Sequence, residues 1–184
     1  VIIVVVIPAL TVQDFSLFGF DDRMPPSETD WQPRDEIDIK TKSPKSVENL
    51  EVTVYDHATK SIIKMPLEEY IVGVVAAEMP ASFELEALKA QAVAARTFAI
   101  RKMRALGGSG CSSHPQADVC SLYSHCQAWI SDEQQKKNWG SDYATNHEKI
   151  VRAVEETRGY IMTYKGTPIE VFFHSTSNGK TEDA

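Results

Sequence analysis

The sequence lacks an excess of basic residues. It has 19 lysines and arginines against 26 aspartates and glutamates, which gives a formal net charge of −7 over 184 residues. A protein that binds DNA or RNA needs a positive surface to neutralise phosphates. This composition provides no broad positive field, so it argues against nucleic acid as a partner.

The sequence also has no internal repeat and no apolar run long enough to cross a bilayer. The apolar run at 1–12 begins without an initiator methionine and is shorter than the roughly 20 residues of a spanning helix. We interpret it as the remnant of a membrane anchor, with a buried core strand as the alternative. Because the polar stretch at 170–184 closes no recognisable element, the chain is expected to be truncated at both ends.

An apolar content of 42% is enough for one domain with its own core. Residues 13–50 are polar and contain four scattered prolines, a composition typical of a linker. The domain itself is therefore expected to occupy 51–184.

The first part of this domain predicts a β-hairpin followed by two helices. Strand-like alternation on both sides of the polar turn at 56–59 indicates the hairpin. Apolar residues at helical spacing between Pro66 and Pro80 predict a first helix. Ser82 is the expected N-cap of a second helix, which is rich in alanine and runs to Arg104.

The second part is less regular. Residues 107–140 are rich in Gly, Ser and Cys and predict a long loop. A short helix at 147–157 and a hairpin formed by 160–164 and 169–173 follow. The order of elements favours an α+β fold, in which hairpins pack with the helical pair, over repeated βαβ units.

Glu78 is the candidate catalytic residue of the first helix. Positions 67, 71, 74, 75 and 78 share one stripe of that helix, and all except Glu78 are apolar. Burial on this stripe would favour the protonated carboxyl group that a general acid needs. The alternative is a carboxylate at the helix end that turns out to water.

Two segments resemble a known family. Residues 65–99, MPLEEYIVGVVAAEMPASFELEALKAQAVAARTFA, are similar to the signature of the stage II sporulation protein D family, and FFHSTSNGKTE at 172–182 is similar to a second family segment. The resemblance covers 52–184, with the loop much less diagnostic. Members of the family continue beyond the end of this chain.

This resemblance implies a peptidoglycan lytic transglycosylase. Such an enzyme cleaves the β-1,4 bond between N-acetylmuramic acid and N-acetylglucosamine and leaves a 1,6-anhydro end. The glutamate of the AAEMP motif corresponds to Glu78, which would serve as both acid and base. The two-carboxylate scheme of ordinary glycosidases is then not needed.

The resemblance also implies substrate-binding residues. Arg96, in AARTFA, is expected to hydrogen-bond the catalytic carboxylate or a sugar, with a structural ion pair as the alternative. His174, Ser175, Ser177 and Asn178 offer polar groups suited to sugar hydroxyl and N-acetyl groups, with a plain polar loop as the alternative.

Partners and location follow from the same resemblance. The expected substrate is a glycan strand stripped of its stem peptides, and the expected partners are stage II sporulation proteins P and M. A single-pass N-terminal anchor in the cell membrane would hold the domain outside the cytoplasm, between the mother-cell and forespore membranes during engulfment.

The predicted loop contains a candidate zinc site. His114, Cys120 and Cys126 are separated by five residues each, Cys111 is the expected fourth ligand, and His125 competes. The alternative is a disulfide with one thiol left over, which an extracytoplasmic setting allows. With three protein ligands only, an open position would permit a catalytic ion.

Three functions remain open on the sequence alone. The main prediction is the lytic transglycosylase. The alternatives are a non-catalytic cell-wall-binding or amidase-activating module and a zinc-dependent wall hydrolase. The products of glycan cleavage distinguish the three.

Overall fold

The computed structural model describes residues 50–173, which belong to one compact unit of the chain. The predicted anchor at 1–12, nearly all of the linker and residues 174–184 lie outside the described residues. The helices and strands of the described region are β1 (Glu51–Asp56), β2 (Ser61–Pro66), α1 (Leu67–Glu78), α2 (Leu85–Lys102), β3 (Val119–Cys120), α3 (Asp132–Trp139), α4 (Tyr143–Glu156), β4 (Thr163–Tyr164) and β5 (Thr167–Pro168). This is the predicted α+β class. Between residues 50 and 173 no helix is long and apolar enough to cross a membrane.

The first hairpin and the first helix confirm the sequence prediction. β1 and β2 pair in antiparallel fashion, with Val52 opposite Met65, and both side chains are buried in the core. α1 begins directly after Pro66 and ends at Glu78, two residues before Pro80. Proline therefore limits this helix at both ends, as the sequence indicates.

The second helix starts later than predicted. Ser82 is not its N-cap, because α2 begins at Leu85 and has no side-chain cap. A residue of another helix fixes the loop that precedes α2. Lys149 of α4 donates to the carbonyl oxygens of Ala81 and Phe83 at 2.9 and 2.5 Å. These two hydrogen bonds fix the connection between α1 and α2.

The region predicted as one long loop contains two regular elements. β3 pairs in parallel with β1 opposite Val54 and Tyr55, so the small sheet has the order β2-β1-β3. α3 follows and is capped by Ser131, whose hydroxyl accepts a hydrogen bond from the Gln134 N–H. Its one buried residue is Gln135. No apolar periodicity marks α3, which is why the sequence did not predict it.

The last predicted hairpin is shorter than expected. β4 and β5 have two residues each and pair around Lys165 and Gly166, which both adopt positive φ, at 50° and 79°. Two consecutive positive φ values are typical of a type I′ turn. Residues 169–173 form no strand, and α4 begins four residues before the predicted start at His147.

Small side chains allow the helices to pack closely. α2 packs against α1 and α4, and its Ala92, Ala95 and Ala99 are completely buried there. The alanine-rich surface seen in the sequence thus serves helix packing on this face.

A buried ion pair joins the same three helices. Arg96 of α2 is completely buried, and its Nη2 and Nε donate to the Glu68 carboxylate of α1 at 2.6 and 3.0 Å. The guanidinium also donates to the carbonyl oxygens of Val154, in the last turn of α4, and Tyr160. The structural ion pair is therefore the role that the structure shows for Arg96, because an enclosed guanidinium has no surface to offer a sugar.

We expect Arg96→Ala to lower the free energy of unfolding by about 3–5 kcal/mol, because it leaves the Glu68 carboxylate without its partner in a largely enclosed position. Arg101→Ala is the matched control, since Arg101 lies in the same helix but is exposed. It should change stability little. Urea unfolding followed by circular dichroism measures both, and equal effects would contradict the structural role of Arg96.

Candidate functional site

Glu78 lies at the C-terminal end of α1, where the backbone becomes extended at Met79. The side chain is exposed, so the burial expected from the apolar stripe is wrong. The last residue of a helix can turn its side chain away from the stripe, and Glu78 does so. Its Oε1 accepts a hydrogen bond of 2.7 Å from the Ala128 N–H.

The negative charge of Glu78 lies at the end of α1 where the helix dipole disfavours it. Glu68 and Glu69 occupy the first turn of α1, where the helix dipole favours acidic groups, but Glu78 occupies the last turn, where no basic residue compensates it. A carboxylate at this position costs about 0.3–1 kcal/mol. Residues that break a local stability rule in this way are expected at functional sites.

A groove with a volume of about 1310 Å³ opens beside Glu78. Ala87, Ala90 and Ala94 of α2 line one side of it, and their small side chains leave this space open. The aromatic rings of Phe83 and Tyr123 also line the groove and are 48% and 77% exposed. Sequence reasoning missed both rings, because neither lies in a periodic pattern.

None of the predicted substrate-binding residues is among the described residues that line the groove. Arg96 does not line it but lies in the helix core. His174, Ser175, Ser177 and Asn178 lie outside the described residues. A separate cavity of about 250 Å³ at the opposite end of α1 contains no residue of the predicted site.

Four side chains of the kinds that can ligate a metal converge beside the groove. The ligand atoms of Cys111, Cys120, His125 and Cys126 all lie within 4.8 Å of one another, and Cys126 lines the groove itself. The three Sγ atoms are 3.4–3.5 Å from His125 Nδ1. A tetrahedral zinc ion separates sulfur and nitrogen ligands by about 3.6 Å. The donor set therefore fits one zinc ion, and we call these four residues the cysteine–histidine cluster.

Local structure aims His125 into this cluster. The N–H groups of His125 and Cys126 both donate to the Leu122 carbonyl oxygen. These two hydrogen bonds form a turn that brings His125 and Cys126 into the cluster together. Ser112 Oγ lies 2.9 Å from His125 Nε2. A proton on Nε2, donated to this hydroxyl, leaves the Nδ1 lone pair free for a metal.

In the structure His125, and not the predicted ligand His114, lies with all three cysteines. The His114 ring stacks on Tyr55 at a centroid distance of 3.6 Å and lies beside His57. It forms a different group with His57 and Cys120. Spacing alone could not distinguish the two histidines. The contact between His114 and Tyr55 depends on the fold, which spacing does not show.

The surroundings of Cys120 and Cys126 disfavour the ionised form of these two thiols. Burial, with the neighbouring thiols adding to it, raises the pKa of Cys126 to about 12, and burial also raises the pKa of Cys120. A divalent cation reverses this preference, because metal ligation requires thiolates and releases their protons. All three cysteines are free thiols in the structure.

Comparison with known proteins places the chain in a family. The model of the stage II sporulation protein family (SpoIID) matches residues 55–164. Stage II sporulation protein D of Bacillus amyloliquefaciens is 50% identical over 133 residues, which cover 72% of this chain and 38% of that protein. The chain belongs to the stage II sporulation protein D family. The matched residues include Glu78 and the whole cysteine–histidine cluster.

Other relatives show how the family varies. Stage II sporulation protein D of Bacillus subtilis (strain 168) is 47% identical over 133 residues, again 38% of its length. A protein named amidase enhancer from the same organism is 36% identical over 110 residues, 60% of this chain and 12% of that protein. The chain thus spans less than half of the length of the sporulation proteins that it matches.

The choice of histidine can be tested by zinc content. We expect the purified chain to bind one zinc ion, and His125→Ala to weaken this binding at least tenfold because it removes one of four donors. His114→Ala is the matched control and should keep the affinity of the unchanged chain. Elemental analysis and competition with a coloured chelator measure the zinc content and affinity of both variants. A loss of zinc affinity in His114→Ala alone would support His114 as the ligand instead of His125.

Proposed function

We propose that this chain is part of a lytic transglycosylase that cleaves peptidoglycan glycan strands in sporulation, with Glu78 as its catalytic acid and base. The observation that carries the proposal is the position of Glu78 beside an open groove, with one carboxylate oxygen held by the Ala128 N–H. The names of the sporulation relatives support the biological setting.

The hydrogen bond defines how Glu78 would act. With Oε1 held by Ala128, Oε2 carries the proton and donates it to the glycosidic oxygen as the C1–O4 bond breaks. The resulting carboxylate then takes the proton of the sugar's own 6-hydroxyl group as O6 bonds to C1. The proton count balances, and Glu78 ends in its starting state.

The composition of the groove supports this single-carboxylate scheme. Glu78 is the one charged side chain among the described residues that line the groove. A hydrolase with two carboxylates would need a second one facing the scissile bond. A lining without other charges also suits a glycan strand without its charged stem peptides, which we propose as the substrate.

The cysteine–histidine cluster would hold a structural zinc ion. Its four donors fill a tetrahedral shell and leave no position for a catalytic water. Zinc, when bound, would cross-link Cys111 to the 120–126 segment. This arrangement disfavours the zinc-dependent hydrolase among the alternatives from the sequence.

The non-catalytic alternative has one observation in its favour, which is the similarity to the amidase enhancer. Under it, the groove would bind wall glycan without cleaving it. A partnership with stage II sporulation proteins P and M, and an N-terminal membrane anchor, stay part of the transglycosylase proposal.

Cleavage by Glu78 is tested by Glu78→Gln, which keeps the shape of the side chain but cannot deliver a proton. We expect it to reduce cleavage of purified, peptide-free glycan strands at least about 100-fold without changing the unfolding curve. Glu69→Gln is the control, because Glu69 is an exposed glutamate at the other end of the same helix. Mass spectrometry of the products measures the reaction.

The masses also separate the functions. Anhydro ends, one water lighter than hydrolysed ends, support the transglycosylase. Hydrolysed ends would instead indicate a hydrolase. Strands that stay intact while a wall amidase is stimulated would favour the enhancer.

Tyr123 is expected to bind a sugar ring against its exposed face. Tyr123→Ala should raise KM about fivefold, which corresponds to about 1 kcal/mol of lost contact, and leave kcat nearly unchanged. Tyr123→Phe keeps the ring and should keep KM within about twofold. Steady-state kinetics on glycan strands distinguish these outcomes, and an equal rise for both variants would assign the effect to the hydroxyl group.

A further inference from the structure

Residues 126–130 form a short segment that runs from the cysteine–histidine cluster along α1. Cys126 belongs to the cluster, and the Ala128 N–H donates to Glu78 at the end of α1. The Ile130 N–H donates to the carbonyl oxygen of Gly73, five residues before Glu78 in the same helix, at 3.3 Å. We call 126–130 the strap.

The middle of the strap is also fixed to α1. Gln127 is 1% exposed, and its Oε1 accepts a hydrogen bond of 3.4 Å from the Tyr70 hydroxyl. Trp129 lies directly over Gly73, where an added Cβ would come within 2.2 Å of Trp129 Nε1 and 2.8 Å of the Ile130 carbonyl oxygen. Glycine at position 73 is therefore what allows the strap to approach the helix.

We propose that the loaded cysteine–histidine cluster positions the Glu78 carboxylate through this strap. Only one residue separates Cys126 from Ala128, so the two Cα atoms are at most about 7 Å apart. Fixing Cys126 in a metal shell therefore restricts where the Ala128 N–H can point. Ala128 is a positioning residue, since it acts on the reaction only through Glu78.

This inference rests on the zinc site and the role of Glu78 proposed above, but its test does not require turnover. If zinc orders the strap and the strap holds Glu78, then the Glu78 acceptor must in turn favour zinc binding, because coupling between two sites is reciprocal. Zinc affinity thus reports on the hydrogen bond at Glu78.

The experiment compares zinc dissociation constants, measured with zinc alone against a competing chelator, in the 184-residue chain. We expect Glu78→Ala, which removes the acceptor, to weaken zinc binding about fivefold. Glu78→Gln removes the same charge but keeps an acceptor oxygen, so it should stay within about twofold of the unchanged chain. Glu69→Ala controls for loss of an exposed glutamate elsewhere on α1.

A second measurement follows the hydrogen bond directly by amide exchange of Ala128 in the zinc-loaded protein. Exchange should be at least about fivefold faster in Glu78→Ala than in Glu78→Gln. Gly73→Ala, which changes neither a zinc ligand nor Glu78, should also speed this exchange because it displaces Trp129.

Three results would overturn the proposal: equal zinc affinities for Glu78→Ala and Glu78→Gln, unchanged Ala128 exchange in both, or no zinc binding at all. None of these decides whether the chain is a transglycosylase. Product masses decide that separately, so anhydro products with equal zinc affinities would refute the coupling alone.

Discussion

The contact between α1 and residues 126–130 is the packing on which the rest of the site depends. α1 packs against α2 and α4 on its other sides. Because residue 73 is a glycine, it has no side chain that would clash with Trp129 of the strap. Glu78 at the end of α1 and Cys126 of the cysteine–histidine cluster line the same groove. Glu78 and the cysteine–histidine cluster, which are 33 or more residues apart in sequence, thus lie beside the same groove.

The loop that carries the cluster needs a second attachment, and Asp118 provides it. Its carboxylate accepts hydrogen bonds from the N–H and hydroxyl group of Thr53 in β1 and from the Arg104 N–H. Burial raises the pKa of Asp118, but these donors outweigh it and hold the pKa below the ordinary value. With β3 paired to β1, this anchors the chain next to Cys120 even though the loop has little core of its own.

Sequence reasoning succeeded for the elements whose formation depends on local sequence patterns. Alternation in β1 and β2, helical spacing in α1 and the limiting prolines are local signals, and the structure confirms those elements. α3 gave no such signal because its one buried residue, Gln135, is polar. The family to which the chain belongs was also predictable, since its signature is a continuous segment.

The details of the site were less predictable, because they depend on contacts across the fold. Spacing placed Glu78 on a buried stripe, whereas its position at the helix end turns it outward. Spacing also favoured His114 over His125, whereas in the structure His125 lies with all three cysteines and His114 stacks on Tyr55. For Arg96, the sequence left two roles open, and the partner that decides between them, Glu68, lies 28 residues away.

The geometry of the cluster also bears on the choice between metal and disulfide. A disulfide brings two sulfur atoms to about 2.05 Å and would leave the third thiol and the imidazole facing a covalent bond that uses neither. Here all three Sγ atoms lie at nearly equal distances from one imidazole nitrogen, and the other nitrogen of that ring contacts a hydroxyl group. This geometry agrees with the proposed zinc site, because the ligands of a tetrahedral cation must all face the same central point.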